Sequence, residues 1–272
     1  MMSGNTSVWR GFGDSEIGPL HQRLGVLNQD ADHLELKNEP ILIALSDGLG
    51  SKSLSHLGAQ AVSRAVVRLA QYCADEVIVE RIVKQEVKQE VKQEVKPVSF
   101  IELFPDYWLE ELQGIDVEQC RCTALFAIVL GEQTFIAQLG DGDCCIIISK
   151  EGECEKQVRF LSDKDEDLFA NQTHSLGKRF QASEWQFYLQ ATAELDACFL
   201  VTDGISDDLA LEYRANFYVE LLNQYRQLTD DQVKADVRRW ISQWPVVGHS
   251  DDKTIVALFR QFSLHKTYSA SP

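Results

Sequence analysis

No apolar run in this chain comes near the roughly 20 residues that a membrane-crossing helix needs, so no membrane partner is expected. The opening stretch MMSGNTSVWRGFGDSE lacks the basic start and apolar centre of a secretion signal, and the expected location is the cytoplasm. Positive charge is scarce. Lys and Arg number 26 against 42 Asp and Glu, a formal net charge of −16. Such a surface repels nucleic acid and anionic lipid, which also weighs against a two-metal nuclease. The seven cysteines (Cys73, Cys120, Cys122, Cys144, Cys145, Cys154 and Cys198) include no Cys-x-x-Cys pair of the kind zinc sites use. Reduced thiols behaving as small hydrophobes fit them better than a redox role for Cys120 and Cys122. There is no P-loop and no His-Glu-x-x-His, and no serine or cysteine sits in a recognisable nucleophile motif.

What is present is a chain of 272 residues, 44% hydrophobic, enough for a substantial core. The expectation is a single domain over residues 1–272. One low-complexity insertion interrupts it at 83–96, VKQEVKQEVKQEVK. Its valines recur every four residues, so as a helix their stripe drifts around the surface, and a solvated extension outside the core is expected.

Short apolar runs ending at turn signals predict strands at ILIALSD (Ile41–Asp47), ALFAIVL (Ala124–Leu130), TFIAQL (Thr134–Leu139), CCIIIS, ACFLVTD and KTIVALF. Helical spacing follows Ser51 or Ser53, either of which is a candidate cap, and recurs at about Ala210–Gln224 and Asp230–Gln243. Short links imply antiparallel pairing, and the mixture suggests packed sheets with helices outside.

The aspartates fall where these strands end. Asp47 opens DGLGS, Asp141 opens DGD, Asp203 opens DGIS, Asp251 precedes KTIVALF, and Asp30 sits in NQDAD. One Asp-Gly is an ordinary turn. Three at strand ends gather carboxylates at a sheet edge, where they repel and raise one another's pKa unless a cation joins them. Oxygen-only ligands suit Mg²⁺ or Mn²⁺.

These motifs, in order, resemble the type 2C metal-dependent protein phosphatases, the PPM family. The matching stretches are LHQRLGVLNQDAD, LSDGLGSKSLSHLGAQAVSRAV, CTALFAIVL, IAQLGDGDCCII, LFANQTHSLG, LVTDGISDD and HSDDKTIVALF, from about residue 11 to 260. The NQDA wording points to a bacterial branch. The resemblance implies an α+β fold: two antiparallel sheets packed as a sandwich with helices on both outer faces. It implies that Asp47 bridges two Mn²⁺ or Mg²⁺ ions with the Gly48 carbonyl contributing, and that Asp203 and Asp251 hold one ion. Asp30 would act in the second-ion region, and Asp141 and Asp207 would match a third-metal site. A metal-bridging hydroxide would attack the phosphoryl group of phosphoserine or phosphothreonine proteins directly. A cognate kinase or its substrates would be among the partners. The alternative is a pseudophosphatase-type module that binds phosphoproteins without hydrolysing them, against which the intact aspartate set counts.

The chain departs from the family pattern in three places. The usual phosphate-gripping arginine position is Gly25, the histidine after the first Asp-Gly is Leu49, and the closing Asp-Asn is Asp251-Asp252. His21 is a candidate acid or phosphate contact, with a structural loop role as its rival. Arg23 is a candidate phosphate grip. His56, His174 and His249 are expected to be structural.

Overall fold

The computed structural model describes residues 7–37, 39–74, 98–149, 156–162, 174–179 and 181–262. The insertion at 83–96, Cys154 and most of the LFANQTH stretch lie outside these residues. The strands are β1 (Ser7–Glu16), β2 (Ala31–Glu35), β3 (Ile41–Ser46), β4 (Ala124–Leu130), β5 (Gln133–Leu139), β6 (Asp143–Ile148), β7 (Gln157–Phe160), β8 (Gln186–Ala191), β9 (Leu195–Val201) and β10 (Lys253–Phe262). The α-helices are α1 (Pro19–Leu24), α2 (Ser55–Ala74), α3 (Val98–Glu111), α4 (Asp203–Ser206), α5 (Leu211–Tyr225) and α6 (Asp230–Ser242).

Five strands pair as β1-β10-β9-β6-β7 and five as β2-β3-β4-β5-β8, with antiparallel neighbours throughout. Side-chain alternation sorts each central strand into two apolar faces. Between the sheets, Ile43, Leu45, Leu125 and Ala127 meet Ile146, Cys198, Leu200 and Val256. The alternate residues Leu42, Ala44, Phe126 and Ile128 pack outward against α2 and α3. On the other side Phe199, Val201 and Ala257 pack against Tyr218, Leu222, Val233 and Val237 of α5 and α6. The layers are helix, sheet, sheet, helix, the expected sandwich. Central strands covered on both faces read as unbroken apolar runs, which is why they were visible in the sequence.

Two local expectations need correction. Helix α2 begins at Ser55, and Ser53 instead bonds the Gln119 side chain through its backbone N–H and its hydroxyl, so neither Ser51 nor Ser53 caps it. The β4–β5 link, which the strand runs put at Gly131-Glu132-Gln133, is only Gly131-Glu132, because Gln133 already pairs with Leu130.

Register fixes where the aspartates go. Ser46 ends β3 opposite Ala31 at the start of β2. Leu139 ends β5 opposite Ala124 at the start of β4. Val201 ends β9 opposite Asp143 and Ile255. The turns carrying Asp30, Asp47, Asp141, Asp203 and Asp251 therefore leave one end of the sandwich together.

Candidate metal centre

Asp30 joins the two sheets at that end. Its Oδ2 accepts the Thr202 hydroxyl at 2.9 Å and the Thr254 hydroxyl at 2.7 Å, both from the facing sheet. Asp47 follows β3, and its backbone N–H donates to Thr123 Oγ1 at 2.8 Å. Gly48 N–H donates to the Gln29 carbonyl at 3.1 Å. Asp203 opens α4, and its carbonyl accepts the Asp207 N–H at 2.9 Å. Position 204 must be glycine, because a Cβ there would lie 1.9 Å from the Asp252 carbonyl oxygen. That close approach sets the Asp203 turn against the Asp251-Asp252 turn.

Asp47, Asp141 and Asp203 each offer a carboxylate oxygen, all within 4.8 Å of one another. These three come from both sheets. Asp251 lies near enough to raise the pKa of Asp47 and Asp203, and Asp207 is exposed. Burial is the first cause of the upward shifts. Asp203 is pushed up to about 8 by burial and then by Asp141, Asp251, Asp30 and Asp207. Asp30 is pushed up to about 7 by burial and by Asp252, against the hydrogen bonds that favour its charged form. Asp47 stands well above the usual carboxylate range through burial, Asp30, Asp203 and Asp251. Beside them, Gln29 Oε1 is buried without a hydrogen-bond partner. Crowded oxygen donors and an orphaned amide oxygen fit a hard divalent cation.

A cleft of about 260 Å³ opens here, lined by Asp203, Asp207, Asp208, Asp251, His249 and Lys253. Lys253 Nζ donates to the Asp251 carbonyl at 2.8 Å and to His249 Nδ1 at 2.9 Å. His249, expected to be structural, borders the cleft, as do Asp208 of the LVTDGISDD stretch and Lys253, for which the sequence carries no expectation. Only their nearness in sequence to Asp203 and Asp251 could have signalled it.

His21 lies on α1, and its Nδ1 pairs with Asp252 Oδ2 at 2.9 Å. Asp252 also accepts the Gly18 and Gln29 backbone N–H groups, each at 2.7 Å. A buried carboxylate with three donors fixes the imidazole in place. Arg23 is exposed on the last turn of α1. Gly25 caps that helix with φ 63°, a left-handed backbone that an arginine adopts only with strain. Leu49 follows the Asp47 turn, its N–H on the Arg121 carbonyl at 3.0 Å.

The family model described as Protein phosphatase 2C matches residues 17–243. No curated protein matches the chain. Among solved structures it is similar to the catalytic domain of the serine/threonine phosphatase PstP, in complex with two manganese ions, at 16% identity and TM-score 0.57 over 94% of this chain and 100% of that one. It is similar to PppA, a regulatory component of T6SS in Pseudomonas aeruginosa, at 16% identity and TM-score 0.57 over 94% and 100%. It is also similar to the serine/threonine phosphatase Stp1 from Staphylococcus aureus, at 14% identity and TM-score 0.56 over 95% and 97%.

The chain belongs to the protein phosphatase 2C family. It is a metal-dependent serine/threonine protein phosphatase, acting on phosphoproteins. Among the described residues no helix is long and apolar enough to cross a membrane.

Proposed function

We propose that Asp47, Asp203 and Asp251, with the Gly48 carbonyl and with Asp30 nearby, hold two Mn²⁺ or Mg²⁺ ions, and that Asp141 and Asp207 belong to a third site. The observation that carries this is the convergence of Asp47, Asp141 and Asp203 oxygens within 4.8 Å at the joined ends of two sheets. When bound, the ions lower the pKa of water and offset charge on the phosphoryl oxygens.

The chain's own residues position and exclude. Thr202 and Thr254 fix the Asp30 carboxylate, and Thr123 and Gln29 fix the Asp47-Gly48 turn through its backbone. Asp252 holds His21 by Nδ1, leaving Nε2 to protonate the leaving oxygen or to contact the phosphate. Arg23, exposed on the same helix, is the other phosphate candidate. We read residues 1–272 as one phosphatase domain with an insertion at 83–96. It is a cytoplasmic, bacterial protein of the NQDA branch, and a cognate kinase or that kinase's substrates are among its targets. The PppA and Stp1 likenesses support the bacterial placement, and the PstP complex supports manganese.

The test is turnover of p-nitrophenyl phosphate and a phosphoserine peptide with Mn²⁺, with Mg²⁺ and with chelator. Metal-dependent turnover of both supports the reading; turnover that ignores chelation overturns it.

A further inference from the structure

A second cleft, of about 490 Å³, lies beside the acidic one. Asp208 and Val246 line both, so the two adjoin. The second is apolar and aromatic: Leu209, Phe217, Leu221, Trp240, Trp244 and Pro245 form its walls. Phe217 meets Trp240 edge-on at 6.1 Å, and Trp240 meets Trp244 at 5.7 Å.

Its polar atoms are turned toward one another. Trp240 Nε1 donates to Tyr225 Oη at 2.8 Å, and Trp244 Nε1 donates to Asp208 Oδ2 at 2.6 Å. Asp236 takes the Gln224 amide at 3.1 Å and pairs with Arg239. With those groups engaged, ring faces and aliphatic carbons remain for a ligand. An apolar side chain fits such a wall, whereas a polar one leaves its hydrogen bonds to water behind.

We infer that this groove binds an apolar side chain of the substrate, flanking the phosphorylated serine or threonine. The occupant follows from the groove's position and walls. This inference rests on the acidic cleft being the phosphate-handling site, and a groove that shares two lining residues with that cleft is within reach of the residues next to the phosphoresidue. In the groove itself Asp236 and Arg239 answer one another, so its walls select by apolar area and not by net charge. The substrate class is phosphoprotein segments with a leucine-sized or aromatic side chain close to the phosphoresidue. Val247, almost fully exposed at 99%, lines the acidic cleft next to Val246.

The experiment uses the full chain with Mn²⁺ and a set of phosphoserine peptides in which one phenylalanine is walked along either side of an otherwise serine-rich, neutral sequence. At one position phenylalanine should raise kcat/KM by about tenfold over serine, the scale of one buried apolar side chain. Two variants test the location independently. Gln243→Trp fills the groove from its exposed rim after α6, and Gln224→Trp fills it from α5; neither residue lines the acidic cleft. Each should abolish the phenylalanine preference while p-nitrophenyl phosphate, which has no flanking residue, is turned over at the wild-type rate. Equal kcat/KM for all peptides overturns the inference, and so does a preference that survives both variants. Loss of metal-dependent p-nitrophenyl phosphate turnover in the wild type would instead overturn the phosphatase site, and this inference with it.

Discussion

Two carboxylate sites lie a few residues apart at the same end of the sandwich and are handled in opposite ways. Asp143 starts β6 and is fully buried. Arg214 from α5 grips its two oxygens at 2.7 and 2.5 Å, and Tyr218 Oη donates at 2.8 Å. Asp143 pairs in register with Val201, two residues before Asp203. Yet Asp203 faces Asp141, Asp251, Asp30 and Asp207, and its pKa climbs to about 8. The lysine of that cleft donates to a carbonyl and an imidazole. Where a buried charge is architectural, the fold supplies its own cation. Around Asp47 and Asp203 it leaves carboxylate against carboxylate, an arrangement that an external divalent ion relieves.

The widest separation of the two sites should come from neutralising them. Asp47→Asn or Asp203→Asn should reduce phosphatase activity about a thousandfold or more at saturating Mn²⁺, since charge stabilisation carries most of the rate. The metal-free protein should be no less stable, because each change relieves repulsion. Near-native activity in either variant breaks the contrast.

Asp252 stands between the two types, a buried carboxylate answered by a histidine. His21→Ala tests what that pairing is for. If His21 donates the proton to the leaving oxygen, phosphoserine-peptide kcat should fall about 10²–10⁴-fold. p-Nitrophenyl phosphate, whose leaving group needs little help, should fall far less. A phosphate contact would instead depress both substrates alike, chiefly through KM. Equal or negligible losses discard the acid role.

Removing the architectural cation should act on stability alone. Arg214→Met takes the cation from buried Asp143 and leaves it the Tyr218 hydroxyl, which should cost about 3–5 kcal/mol of unfolding free energy. Denaturant melts read this directly, and Mn²⁺ should not restore it. A loss near zero would mean that Asp143 is not held by that pair.

The strand-end aspartates were legible because an apolar run ending in Asp-Gly is a local signal, and their meeting followed once the runs were read as one sandwich. The edge strands were not legible. β1, SVWRGFGDSE, carries polar residues and glycines along its length, and it is a strand because β10 pairs with it from Ser7 to Glu16. Helix α3 was left outside the motifs. Pro105 lies within it, a residue that usually breaks helices, while Phe100, Phe104 and Trp108 bury against α2 and the sheet and outweigh it. The His21–Asp252 pair joins residues 231 positions apart, a contact that no local pattern encodes. The aromatic groove likewise needs α5 and α6 to be packed before its walls exist.

The smallest effect sharpens the contrast most. Asp30 and Asp203 have folded pKa values of about 7 and about 8 against an ordinary 3.8. Between about pH 4 and 8 the folded, metal-free protein therefore holds more protons than the unfolded chain, so its stability falls as pH rises. Asp32, raised to about 6 by burial and Asp14, adds to the decline, but only at its lower end. His33 and His249, both lowered by burial, act in the opposite sense, and their contribution is complete near the ordinary histidine value of 6.5. Between about pH 7 and 8 the raised carboxylates of the candidate metal site remain, with Lys156 and Lys253, lowered by burial, acting against them toward the alkaline side. In chelator, Tm should keep falling across that last interval. Mn²⁺, which requires the carboxylates deprotonated, should flatten or reverse the fall, and Asp203→Asn should remove its upper part. A metal-free Tm that is flat or rising from pH 7 to 8 would show that these carboxylates are already satisfied, as Asp143 is.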